Sequence, residues 1–175
     1  SIHMALEKQL LEIAKLLPKE DLVDWCKYLL ANSRSASITA VVTSVVMANP
    51  LKLFDIAQIL FKTREIFLYD AKRYLLEQTA VRLISIGSGI DYKNKIFKDE
   101  RINSCNEDHR KKTLEELSLS YQFFQYQGET TEDVERRRKR IWEIFDSYYE
   151  ELSKEEHETD DNKTWQLALA RMDGR

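Results

Sequence analysis

The stretch SASITAVVTSVVMANP, Ser35 to Pro50, constrains the fold of this chain more than any other. Seven of its residues are β-branched (Ile38, Thr39, Val41, Val42, Thr43, Val45 and Val46), a composition that favours strands. It has no polar–apolar alternation and no internal turn residue, and it exceeds the length of most strands. Asn32 and Ser33 offer capping oxygens before it, and Asn49-Pro50 closes it, because the residue before a proline is pushed out of helical angles. Between those stops Ala36, Ala40, Ser44 and Ala48 recur every four residues, and Ile38, Val41, Val42 and Val45 form a second stripe. A helix that is apolar nearly all round lies in the middle of a bundle. The small side chains predict a ridge that a neighbouring backbone approaches closely. The Ser and Thr hydroxyls can bond back to carbonyls one turn earlier, so their burial leaves no polar group stranded.

The flanking segments repeat the helical period. Leu6, Leu10, Ile13, Leu16 and Leu17 fall on one stripe with Glu7, Lys8, Glu12 and Lys15 opposite, and Pro18 stops the helix. A second helix from about Glu20 lines up Leu22, Val23, Cys26, Leu29 and Leu30, with Trp25 and Tyr28 on its shoulders. Pro50 suits the first turn of a helix carrying Leu51, Leu53, Phe54, Ile56, Ala57, Leu60 and Phe61. Thr63 to Ile86 follows a helical period through Ile66, Phe67, Asp70, Tyr74, Leu75, Ala80 and Leu83, with a break near Gln78-Thr79 and a stop at Gly87-Ser88-Gly89. Residues 90–112 show no clean period and read as a polar connector with one short helix around Phe97. Leu114, Leu117, Tyr121 and Phe124 mark a further helix ending at Gly128, and Thr130 with Asp133 forms a capping box. The helix after it, Glu132 to about Glu156, buries Val134, Ile141, Ile144, Phe145, Tyr148 and Leu152. These two helices predict an antiparallel hairpin. The segment HETDDNK reads as a loop, and Thr164 starts a last helix with Trp165, Leu167, Ala168 and Leu169.

The expected fold is therefore all-α: a multi-helix bundle with a C-terminal helical hairpin. Four glycines and two prolines in 175 residues are too few for the tight turns of an all-β fold. Residues 1–4, SIHM, resemble a cloning scar; 5–86 form the bundle core, 87–112 the polar connector, and 113–175 the hairpin plus C-terminal helix. A start in mid-pattern at Ala5 and an end within an amphipathic segment suggest a piece of something larger. No run approaches the roughly 18 apolar residues of a membrane span, and no export signal is visible. Cys26 and Cys105 lack metal or redox spacing. Two reduced thiols fit a cytoplasmic protein.

The motifs of chemistry are sparse. Gly87-Ser88-Gly89 lacks the spacing and the Lys-Ser/Thr tail of a phosphate-binding loop. Beyond the His in the scar, His109 and His157 have no ligand partner at helical or finger spacing; Cys105 and His109 stand four apart in a polar connector. The serines lack the glycines of a nucleophile elbow, and nothing in the sequence orients Cys26 and His109 as a nucleophile and base. We expect no catalytic, cofactor-binding or metal-binding residue. The net charge of −3 gives no overall pull towards nucleic acid or anionic lipid. Two basic clusters remain: Arg110, Lys111 and Lys112 beside His109, and the run RRRKR, Arg136 to Arg140. Glu132 with Arg136 and Glu135 with Lys139 stand at the favourable i,i+4 spacing and would neutralise much of that run. Pooled across the hairpin, Arg110, Lys111, Lys112, Arg136, Arg137 and Lys139 would instead form an anion or nucleic-acid patch.

Three strings, SRSASITAVVTSVVMANPLKLFDIAQILFKTREIFLYD, DERINSCNEDHRKKTLEEL and NKTWQLALARMD, resemble a region of very large bacterial ATP-binding proteins of the STAND (NACHT-like) class, which includes antiviral defence ATPases. The resemblance covers most of the chain from about Leu30 onward. It implies a helical sensor or scaffold segment outside the nucleotide site, since the Walker elements are lacking here. The expected function is a non-catalytic interaction module that packs against other domains of its parent chain or against a protein partner. The rival expectation is a nucleic-acid- or phosphate-binding module using the two basic clusters.

Overall fold

Ser35–Pro50 is a helix. In the computed structural model it forms α3, Ala36–Ala48, and Val41, Val42, Thr43, Val45, Val46 and Met47 are all buried. The structure describes residues 2–86, 99, 102–154 and 159–175, leaving out the side chains of 80, 81 and 83–86. Among the described residues every regular element is helical and none is a strand, so the chain is an all-α, multi-helix protein. It divides into two compact units, Ser1–Thr113 and Leu114–Arg175.

In the first unit α3 packs against α1 (Ile2–Leu16), α2 (Lys19–Asn32) and α4 (Phe54–Phe61), and against a 3-10 turn at Asp108–Lys111. α5 (Arg64–Ile86) adjoins α4, and Phe61 stacks on Phe67 with ring centroids 5.4 Å apart. The valines of α3 face inward because shape-constrained side chains fill a close-packed centre without loss of rotamer freedom. Thr43 donates its hydroxyl to the Thr39 carbonyl at 2.8 Å, which resolves its burial.

Several expectations are corrected. The ridge of small residues is no continuous close-packing seam: Ala36, Ala40 and Ala48 are exposed, and only Ser44 is half-buried, against Glu7 of α1. Glu7 is not on the solvated face of α1; it is buried with Leu10 and Ala14, while Leu16 is 85% exposed. Pro50 does not open a helix, since residues 50–53 form a turn and α4 begins at Phe54. α5 runs unbroken through Gln78-Thr79, where the Thr79 hydroxyl bonds to the Leu75 carbonyl at 2.8 Å, and Leu75 itself is exposed. The Gly87-Ser88-Gly89 stop and the helix around Phe97 lie outside the described residues.

Lys52, in the turn before α4, donates to the carbonyls of Ala14, at 2.8 Å, and of Leu17. A cation at a helix C-terminus satisfies orphan carbonyls and the helix dipole together. Lys52→Met should therefore destabilise the first unit by about 1–2 kcal/mol. Urea unfolding followed by circular dichroism checks this, and Lys52→Arg should recover part of the loss.

The second unit is α6 (Leu114–Phe123), α7 (Thr131–Ser153) and α8 (Asp160–Met172), with all three helices in mutual contact. Gly128, at φ 90°, turns the chain between α6 and α7 in the left-handed region that other residues avoid. The capping box forms as the spacing predicts: Asp133 donates its backbone N–H to Thr130 Oγ1 at 3.2 Å, and Thr130 donates its own to Asp133 Oδ2 at 3.0 Å. The last helix starts earlier than expected, at Asp160. Thr159, within the supposed loop, caps it by accepting from the Asn162 N–H. Trp165, Ala168 and Leu169 are buried as the period requires, whereas Phe124 and Leu167 are exposed. Tyr148 meets Trp165 edge-on at 5.0 Å. His157 lies outside the described residues.

Candidate functional site

The most polar interior in the first unit joins four elements. α1 supplies Glu7, α3 supplies Ser44, α5 supplies Asp70, Arg73 and Glu77, and the 3-10 turn supplies His109 and Arg110. The α5 residues recur at i, i+3 and i+7, which places them along one side of the helix. Arg73 donates Nε to Asp70 at 2.9 Å and Nη1 to Glu77 at 2.8 Å. It also donates Nη1 to the Arg110 carbonyl at 3.3 Å and Nη2 to the Lys112 carbonyl at 2.9 Å. Arg110 in turn bridges Glu7 and Glu77, the latter at 2.8 Å. His109 Nε2 lies 3.3 Å from Glu7 Oε1 and 3.4 Å from Glu107 Oε2, and the Ser44 hydroxyl donates to Glu7.

Burial acting alone would raise the pKa of Glu7, but hydrogen bonds from His109 and Ser44 and the charge of Arg110 outweigh it and hold the carboxyl below its ordinary value. For Arg110, burial acts to discharge the guanidinium, and Glu7 and Glu77 overcome that effect and raise its pKa. The two guanidiniums each bridge two acceptor groups or more, in fork geometry. Chemically this is an ionic clasp that fixes residues 107–112 onto α1, α3 and α5.

Beside the clasp, a cleft of about 260 Å³ opens between α3 and the first half of α5. Ala36, Ala40 and Thr43 form one wall, and Ile66, Tyr69 and Asp70 the other. The first half of the small ridge of α3, Ala36 and Ala40, is thus the side of a hollow. Along α5 next to it, Leu68, Tyr69, Leu75 and Leu76 are 45–65% exposed.

The basic residues are placed as follows. Arg110 is held inside the clasp. Lys111 is half-exposed, 4.0 Å from Asp108, and Lys112 is exposed. Arg136 is exposed and pairs with Asp133, not with Glu132. Arg137 is 3% exposed and points inward: it holds Glu129 at 2.7 Å and donates to the carbonyls of Tyr121 and Phe124. Its guanidinium also lies over the rings of Tyr121 and Tyr126, 5.4 and 5.0 Å from their centroids. Lys139 is exposed and has no ion pair among the described residues. Arg138 bonds to the Gln122 carbonyl at 2.8 Å, and Arg140 pairs with Glu143 at 3.1 Å. Arg110, Lys111 and Lys112 belong to the first unit, and Arg136, Arg137 and Lys139 to the second.

Glu7, Asp70 and Arg137 are buried charges not read as such in the sequence. Each nevertheless stands on an apolar stripe, with Leu10 and Ala14, with Phe67, and with Val134 and Ile141 respectively. That position was the available signal. Among the described residues no group of three or more His, Cys, Asp or Glu side chains is arranged to hold a metal ion, and no helix is long and apolar enough to cross a membrane. Cys26 and Cys105 are not disulfide-bonded, and burial pushes the Cys26 thiol up to about 11. A scan against protein-family models finds no match for this chain, and a search of curated proteins finds none either.

Proposed function

We propose that this chain is a non-catalytic helical scaffold or sensor module of a larger bacterial, cytoplasmic multidomain ATPase of the STAND type, acting through contact with other domains of its parent or with a protein partner. The observation that carries the reading is the set of large apolar side chains on outer helix faces: Trp25 and Tyr28 on α2, and Leu68, Tyr69, Leu75 and Leu76 on α5. Aromatic and aliphatic side chains so placed are the anchors of protein interfaces. The resemblance to the STAND class supports the choice of parent. The test is to measure ATP hydrolysis and nucleotide affinity of the purified chain. The expected result is no turnover and no nucleotide binding; clear turnover ends the proposal.

The exposed cations Lys111, Lys112, Arg136 and Lys139 support a second reading, binding of nucleic acid or phosphate. Arg110 and Arg137 are engaged inside their own units, which leaves that reading fewer charges than the sequence offered. DNA and RNA titrations at two salt concentrations separate the readings, because phosphate contacts weaken steeply with salt.

A further inference from the structure

We infer that the outer face of α2 docks a basic, arginine-bearing segment of a protein partner; this rests on the interaction-module reading and gives the partner its chemistry. The inner face of α2 buries Leu22, Val23 and Cys26, and α2 packs on α3 and α4. The outer face presents Asp21, Asp24, Trp25 and Tyr28 at i, i+3, i+4 and i+7, all exposed. Trp25 is 54% and Tyr28 61% exposed, and their rings meet edge-on with centroids 6.4 Å apart. That contact leaves much of both rings open to solvent.

The charges around this pair have one predominant sign. Glu20, Asp21 and Asp24 are exposed and have no ion pair among the described residues. Lys19 is paired with Asp55 at 3.6 Å, so Lys27 is the one remaining cation of the helix. Acids in the first turn favour the helix dipole, which accounts for Glu20 and Asp21 but not for Asp24 or the aromatic pair. An open indole and phenol bordered by carboxylates match a guanidinium, which stacks on a ring face while its N–H groups reach the acids. The same carboxylates repel phosphate backbones and anionic lipid. The exposed stripe on α5 has no comparable charge asymmetry, since Glu77 there is neutralised by Arg73 and Arg110.

The test uses the full chain and a dye-labelled peptide of alternating Arg and Leu, with Lys-Leu and Glu-Leu counterparts, read by fluorescence anisotropy. The Arg peptide should bind, the Lys peptide several-fold more weakly, and the Glu peptide not at all. Trp25→Ala and the double variant Asp21→Asn/Asp24→Asn should each weaken binding about tenfold, and the double variant should lose most of the salt dependence. All three side chains are exposed, so circular dichroism should show unchanged folding. Tyr69→Ala, on α5, should leave binding unaltered. No binding of the Arg peptide, insensitivity to the α2 variants, or an equal loss with Tyr69→Ala would overturn the assignment. None of these results involves nucleotide turnover, so failure of the α2 site and failure of the module reading are separately visible.

Discussion

Replacing Arg137 with Met should lower the stability of the Leu114–Arg175 unit by about 3–5 kcal/mol, the usual cost of removing one partner from a buried ion pair. The magnitude follows from what remains behind. The Glu129 side chain is 5% exposed and would lose the guanidinium it faces. The carbonyls of Tyr121 and Phe124 would lose their donor at the end of α6. Methionine fills much of the volume but offers no hydrogen bonds. Urea unfolding of the full chain in a Trp25→Phe background reports this unit through Trp142 and Trp165. The double variant Arg137→Met/Glu129→Gln should recover part of the loss, because the stranded carboxyl group is gone while the carbonyls stay unpaired. A cost below about 1 kcal/mol would mean that the pair behaves as a surface salt bridge.

Arg110→Met should destabilise the first unit by about 3 kcal/mol at neutral pH, because buried Glu7 loses its guanidinium, whereas Glu77 keeps Arg73. Here the pH dependence is diagnostic. A carboxyl held below its ordinary value in the folded state contributes stability above the unfolded value, and that contribution is lost as pH falls through the folded value. Glu7 is such a group, and Arg110 is among the causes. The cost of Arg110→Met should therefore be full at pH 7 and shrink once pH drops below the ordinary glutamate value of 4.5. Trp25 fluorescence during urea unfolding, with Trp142 and Trp165 replaced by Phe in both proteins, measures the difference at the two pH values. A cost independent of pH would assign it to lost packing.

The helices were legible because their stops are local. Asn49-Pro50 closes α3 and Thr130 with Asp133 announces α7, each within a few residues, whereas Asn32 and Ser33 end α2 and do not cap α3, whose N-cap is Ser35. The clasp was not, because its partners are remote: Ser44 lies 37 residues from Glu7, and Arg110 lies 103 residues from it. The place of Glu7 on the stripe of Leu10 and Ala14 signals burial, but nothing local names the distant guanidinium that compensates it. Arg137 was hidden differently, inside a run of five cations that reads as one surface feature. Its place between Val134 and Ile141 on the buried stripe distinguishes it from Arg136 and Lys139. The small ridge of α3 misled because small side chains permit a close neighbour without requiring one, and there α5 leaves a cleft.

The depth of Cys26 has a practical consequence. Cys26 is 0% exposed on the inner face of α2, and the high pKa of its thiol keeps it protonated at neutral pH. An alkylating reagent reaches that sulfur only while α2 is lifted from the helices under it, so the rate of modification counts spontaneous openings of the first unit. Cys105 is only partly covered and serves as the fast internal reference. The unaltered chain thus carries its own clock for native-state breathing.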